Sequence, residues 1–426
     1  MAITPETEER RRGSEEFHDL FAETNDTLSI DWQNGSVAVA RGVRSGTGVR
    51  SRDTGGEILF RSLDETDSER IPWDIESLAD WEGELALALA YLALASEGAA
   101  RELGGGSSGA LDAKVSLYRQ EIRYETKERI ATDVRSGARL ELRLSGAGGG
   151  PVSAQIAART MQELRSREPA FEVGRGLGLR ALQRRGALAP FDAVLPVVFA
   201  PGGCGALLHE IGHLLEEDVG GAADGHALFK LGERVGPAAL TIIDDPLVCP
   251  GRGSYLVDDE GSAPSACVLI DAGIVSARLE GAGRMESARA GGTGHSRRAS
   301  YRDLPAPRMA STFMKPGADD PEEIVRGTPH GVYVRALRSG RVDPSSGDMT
   351  LSMADASLIE RGRIGRALDE GFIIASARAV LESLDAVGSD LVFDHGAGNC
   401  IKHEQQLPVT VGLPTVRIGV ARVHVP

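Results

Sequence analysis

Apolar and polar positions alternate along much of this chain, and the breaks in the alternation mark its organisation. Residues 28–59 mix short alternating stretches (LSIDW, SVAVARGV, GVRSR) with Gly and Asn turns, which predicts antiparallel β-structure. Residues 79–103 are rich in Ala and Leu with interspersed Glu, which predicts a helix stopped by Gly104-Gly105-Gly106. Residues 113–144 alternate again (VSLYRQEIRYET, ARLELRLSG), as two or three half-exposed strands would. After a glycine-rich turn at 146–150, VSAQIAARTMQELRS predicts an amphipathic helix over 152–166. Residues 177–188 read as a short basic helix or a linker, and the charged stretch up to about Arg12 reads as a frayed end.

Beyond Ala189-Pro190 the pattern changes. Strand signals dominate, and VLIDAGIVSARL predicts a hairpin with its turn at Ala272-Gly273. A short acidic helix begins at Glu322, and residues 349–358 and 371–381 read as further strand and helix. The predicted fold is α+β. An N-terminal α+β domain (1–189) precedes a mostly antiparallel β domain (190–426), with no internal repeat.

One helix in the second half carries chemistry. Residues 194–200 (VLPVVFA) read as a buried strand that Pro201-Gly202-Gly203 breaks, and LLHEIGHLLEED follows. It contains His209-Glu210-Ile211-Gly212-His213, an HExxH motif. Residues four apart on a helix lie about 40° apart around its axis, so both imidazoles project to one side. Two neutral imidazoles so placed can hold Zn²⁺, with Glu210 beside the attacking water as general base. The apolar stripe of Ala206, Leu207, Leu208, Leu214 and Leu215 gives the motif a helical setting. A catalytic zinc takes three protein ligands and keeps a fourth position open. A metzincin-like third histidine would fall at position 219, which is Val219. Glu233, in LFKLGERVG, and Cys400, in HGAGNCIKHEQQLPV, are the remaining candidates. Cys400 reads as part of a Gly-rich turn between strand-like segments at 391–393 and 407–411.

The second half resembles the TldD/PmbA family of bacterial and archaeal metallopeptidases, on the TldD side. The resemblance rests on LLHEIGHLLEED, GRGSYLVDDEGSAP, GTGHSRRASYRDLPAPRMASTF, GDMTLSMADASLIERGRIGRAL and GAGNCIKHEQQLPVTVGLPTVRIG, in the family's order over most of residues 201–420. It implies a metal held by His209, His213 and Cys400, with Glu210 catalytic. It also implies a dimer, formed with a PmbA-like metal-free relative or with a second copy, an enclosed site, and an extended peptide as substrate. The chain departs from the family pattern in having two residues, not three, between the glutamate and the second histidine. It also has His295 and His403 where family members tend to have Asn and Gly. The Gly-rich block adds His295, Arg297, Arg298 and Tyr301 as candidate substrate-binding groups that could grip a peptide carboxylate or polarise the scissile carbonyl. Asp258-Asp259-Glu260 reads either as a charged turn or as a group close to the site. Cys204, Cys249 and Cys267 read as small packed residues.

Composition narrows the functional class. The 426 residues suit two or three domains of roughly 150 residues each. A net charge of −15 argues against nucleic acid as the main partner. The N-terminus lacks the apolar core of a secretory signal, and no run of about 18 consecutive apolar residues suggests a membrane span. Four widely spaced cysteines suit a reducing cytoplasm. The expectation is a cytoplasmic zinc peptidase that acts on extended or unfolded peptides, including leader-peptide removal from a modified precursor. The alternative is a non-catalytic subunit that shapes a substrate chamber.

Overall fold

A computed structural model describes residues 16–33, 35–52, 58–72, 80–104, 109–146, 148, 150–220, 227–281, 292–395 and 398–426. The charged stretch up to Arg12 lies outside them. The architecture mixes helix and sheet, with strands in the majority.

The first half is a sheet with helices on one face. Its elements are β1 (Glu16–Gln33), β2 (Ser36–Arg52), β3 (Ile58–Pro72), α1 (Glu82–Leu103), β4 (Ala110–Glu125), β5 (Ile130–Ser145), β6 (Val152–Ala158), α2 (Met161–Arg167) and α3 (Ala170–Gln183). The six strands run in the order β3-β2-β1-β4-β5-β6, each antiparallel to its neighbour. Alternation puts Val115, Leu117, Leu140 and Leu142 on the covered face. There they meet Tyr91, Leu92, Ala95 and Ala99, which recur at helical spacing on α1. By length and apolarity α1 is also long enough to cross a membrane, but its apolar stripe is buried against this sheet.

Two expectations change here. Residues 152–158 form an edge strand, not the start of a helix. A short apolar run fits either period, and the open edge of β5 decides the outcome by pairing Leu144 with Val152 through Ala138 with Ala158. Helix begins only after Thr160, whose hydroxyl accepts from the Glu163 backbone N–H at 3.2 Å. Of the basic segment expected at 177–188, residues 177–183 belong to α3, which starts earlier, at Ala170.

The second half contains β7 (Phe191–Phe199), α4 (Ala206–His213), α5 (Glu217–Gly220), β8 (Ile242–Asp244), β9 (Cys267–Asp271), β10 (Ile274–Val275), β11 (Ser296–Arg297), β12 (Ala306–Pro307) and β13 (Ser311–Met314). They are followed by α6 (Pro321–Arg326), β14 (His330–Val342), β15 (Asp348–Glu360), β16 (Arg363–Leu368), β17 (Gly371–Ser376), α7 (Ala377–Glu382), β18 (Leu384–Val387), β19 (Val392–Phe393), β20 (Gly398–Lys402), β21 (Gln405–Leu413) and β22 (Val416–Val425). The ring β14-β7-β22-β17-β15 closes on itself through β15–β14 pairing, a small barrel whose interior is filled by side chains. A second sheet runs β10-β9-β8-β13-β21-β19, with β20 paired to β21. Most pairs are antiparallel; β7–β14 and β13–β21 are parallel. The β9–β10 hairpin turns at Ala272 and Gly273, both with positive φ. α4 is wedged between barrel strand β14 and strands β13 and β21 of the second sheet.

Candidate metal centre

The turn between β7 and α4 is fixed from three directions. Ala200 N–H donates to Val334 O at 2.8 Å, Gly202 N–H to Leu413 O at 3.0 Å, and Leu337 N–H to Gly203 O at 2.9 Å. The helix then buries Leu207, Leu208 and Ile211 in the core shared by the two sheets. This orientation turns His209 and His213 to one side, with ring centroids 4.7 Å apart and planes at 75°. Gly212 between them allows close packing, because a Cβ there would run into Met309 Sδ.

Cys400 reaches the same spot from strand β20, and not from the turn expected from its glycines. The β20–β21 hairpin reverses three residues later, at His403 and Glu404, whose φ angles are 50° and 62°. The left-handed backbone at 403 is one that glycine adopts freely and other residues rarely do. Strand alternation buries Cys400 and leaves Ile401 exposed to the cavity. Cys400 Sγ lies 3.6 Å from His213 Nε2, and the donor atoms of His209, His213 and Cys400 all lie within 4.8 Å of one another. Zinc bonds of about 2.0–2.3 Å at tetrahedral angles place ligand atoms about 3.5 Å apart. His209 is buried, yet neither of its ring nitrogens has a hydrogen-bond partner among the described residues. Unmet buried polar atoms in a native fold call for an explanation, and an N,N,S donor set around a metal ion supplies one.

Glu216 completes the electrostatics. Its fully buried carboxylate accepts from His213 Nδ1 at 3.0 Å, from Lys402 Nζ at 2.8 Å and from Met309 N–H at 3.3 Å. Holding Nδ1 leaves Nε2 to face Cys400, the arrangement in which a carboxylate orients a ligating imidazole. Burial pulls the His213 pKa down, but Glu216 and Cys400 outweigh it and raise it to about 10. Burial pushes Glu216 up, but His213 and Lys402 bring it to about 2. Burial likewise raises the Cys400 thiol, and the two imidazoles outweigh this and bring it down to about 5. Both shifts favour the form in which Cys400 is a thiolate and His213 an imidazolium.

Glu210 lies on the same helix and lines a cavity of about 1580 Å³ together with His209 and His213. The cavity runs between the two halves of the chain. Lys114, Arg139 and Arg180 border it on the first half, and residues 335–342 of β14 on the second. Gly340 of β14 faces Glu210 so closely that a Cβ there would sit 2.5 Å from Glu210 Cγ.

The remaining candidates lie elsewhere. Glu233 is tied to Arg378 at 2.9 Å and to its own turn, and it is absent from the metal cluster. His295 is fully buried, with Nε2 against Asp244 at 3.1 Å and Nδ1 against Thr293 O at 2.9 Å. Arg297 donates to Met309 O and Pro408 O, and Arg298 donates to Asp259 O and lies 4.4 Å over the Phe21 ring. Tyr301 accepts no cavity role: its N–H donates to Glu23 and its hydroxyl to Asp64. None of these four lines the cavity; they fasten the Gly-rich segment inside the protein and onto the first-half sheet. Asp259 and Glu260 are equally structural, paired with Arg135 at 2.8 Å and Arg50 at 2.7 Å. Cys204 and Cys267 donate to the carbonyls of Val334 and Arg278, and Cys249 contacts His395 Nδ1 at 3.2 Å. His403 is exposed, 3.4 Å from Asp218. Sequence reasoning missed Glu216 and Gly340. Glu216 was findable, since it stands only three residues after His213, in the turn that follows α4.

Residues 192–424 match the PmbA/TldA metallopeptidase C-terminal domain. The chain belongs to the PmbA/TldD metallopeptidase family. A metalloprotease TldD homolog of Buchnera aphidicola is 35% identical over 228 residues, which is 53% of this chain and 47% of that one. A zinc metalloprotease TldD homolog of Saccharolobus solfataricus is 31% identical over 228 residues, 52% of this chain and 50% of that one. The chain thus spans about half the length of the curated relatives it matches. In structure it is similar to TldE from Thermococcus kodakarensis, with a TM-score of 0.69 at 14% identity, covering 96% of this chain and 97% of that one. At that identity the likeness shows the fold alone.

Proposed function

We propose that this chain is a zinc-dependent peptidase that cleaves extended or unfolded peptides. The carrying observation is the convergence of His209, His213 and Cys400 within 4.8 Å beside Glu210, at the wall of a cavity of about 1580 Å³. Zinc bound by these three residues would supply Lewis acidity to a water and to the scissile carbonyl. Glu210, one residue from His209 and facing the cavity, takes the proton from the attacking water and returns it to the departing nitrogen. Glu216 keeps His213 turned toward the site, and Gly340 leaves the space that the Glu210 carboxylate needs. β14 supports the extended form of the substrate. It pairs with β7 only from Val332 to Val334, the β7–α4 turn takes Leu337 N–H, and beyond Leu337 no described strand covers the same edge along the cavity. A peptide can add to such an edge through main-chain hydrogen bonds alone.

Leader-peptide removal from a modified precursor is the role proposed for it, in a dimer with a PmbA-like metal-free relative or with a second copy. Four cysteines widely spaced along the chain support a reducing, cytoplasmic setting. One competing reading is a non-catalytic subunit that shapes the chamber. The test is Glu210→Gln, with zinc content and peptide cleavage measured on the same preparation. The peptidase reading expects cleavage in the wild type, and in the variant full zinc content with cleavage abolished. A wild type that binds zinc but cleaves nothing, alone or with its partner, would support the chamber subunit.

A further inference from the structure

Arg308 stands between β12 and β13 with its side chain fully buried. A buried guanidinium is costly unless its donors are met and its charge is opposed. No described carboxylate lies within ion-pair distance of it. Its partners are Cys400 Sγ, at 3.3 Å from Nη1, Gln405 O, at 3.4 Å from Nη1, and Lys402 O, which accepts from Nη2. The two carbonyls flank the turn of the β20–β21 hairpin. The sulfur is the partner able to carry an opposing charge.

We infer that Arg308 is a positioning residue for the metal centre, acting through Cys400. The inference rests on the proposed reading of His209, His213 and Cys400 as metal ligands. The Nη1–H occupies one lone-pair direction of Sγ and so fixes the direction left for a metal. It also draws electron density from the sulfur, so a bound cation receives less donation and keeps more Lewis acidity. Because the same guanidinium grips both sides of the hairpin turn, sulfur and strand are held as one unit. Outer partners of this kind commonly set both ligand orientation and metal affinity.

The experiment uses the full chain loaded with cobalt(II), as wild type, Arg308→Met and Arg308→Lys. The readout is the sulfur-to-cobalt charge-transfer band. Loss of an N–H donor leaves the sulfur richer in electrons, so the Arg308→Met band should move to lower energy with its intensity kept. Arg308→Lys, which retains a donor, should fall between that and the wild type. A purely structural clamp predicts otherwise: a band at the wild-type energy in both variants, or a folded Arg308→Met that has lost the sulfur band. Either result overturns the inference. If Arg308→Met does not fold, the lysine variant decides, and an unshifted band there overturns it. A wild type with no sulfur band would overturn this inference and the ligand reading together, whereas an unshifted band in the variants overturns this inference alone.

Discussion

Gly340→Ala should disable hydrolysis without touching the metal. The added Cβ would lie 2.5 Å from Glu210 Cγ, 3.0 Å from Cδ and 2.9 Å from Oε1. Carbon atoms in contact settle at about 3.5–4.0 Å, so the Glu210 side chain must retreat by about 1 Å. The cavity on its other side gives it room to do so. The backbone at 340 is ordinary strand, not the left-handed region, so alanine brings no backbone strain. A displacement of about 1 Å in a reacting group costs on the order of 100-fold, within the roughly 10²–10⁴-fold that a general base contributes. This corresponds to about 2.7 kcal/mol of transition-state stabilisation. The assay compares kcat/KM on an unfolded peptide, zinc content and melting temperature for wild type, Gly340→Ala, Glu210→Gln and the double variant. The expected pattern is about 100-fold slower cleavage at wild-type zinc content and melting temperature. In the double variant, alanine should add nothing to the loss from Glu210→Gln, because both act through one carboxylate. Wild-type rates in Gly340→Ala, or losses that multiply in the double variant, would refute the placement of Glu210 as base.

Three further outcomes follow from the same geometry. Cys400→Ala should lower zinc occupancy sharply and Glu233→Ala should leave it unchanged, as measured by metal analysis after dialysis; the reverse order would make Glu233 the ligand. In the metal-free chain His213 keeps its proton up to about 10 and Cys400 loses its proton above about 5. Near neutral pH, zinc binding should therefore displace the proton on His213, and the number released should rise and affinity fall as pH drops through the thiol's range. Calorimetry in buffers of different ionisation heat reads that count, and a count that falls with decreasing pH would contradict it. Finally, one protein offered folded and again as an unfolded chain should be cleaved only in the second form, since unfolding costs about 5–15 kcal/mol before its backbone can pair with an edge strand. Equal rates would mean an open site with no requirement for an extended substrate.

The chemistry of α4 was legible because it is local: His209, Glu210 and His213 share one helical face whatever surrounds them. Cys400 was not legible from spacing. It arrives from 187 residues away along the chain, on a hairpin whose pairing depends on β21, and a family resemblance was needed to single it out. The Gly-rich segment misled for the opposite reason. Arg297, Arg298 and Tyr301 look like a solvated gripping loop, but carboxylates and carbonyls, many from distant parts of the chain, take up their donors. Segment 152–158 was missed because VSAQIAA, apolar apart from Ser153 and Gln155, is too short to separate the two periods until a neighbouring strand edge chooses. The barrel closure between β14 and β15, and the cavity beside it, are tertiary facts that no local pattern carries.

The central claim is a metal ion held by two imidazoles and one thiolate, and X-ray absorption at the zinc edge of the zinc-loaded chain tests it most directly. The account predicts two nitrogen ligands at about 2.0–2.1 Å and one sulfur at about 2.3 Å, with the sulfur lost in Cys400→Ala. A coordination sphere of nitrogen and oxygen only would contradict it.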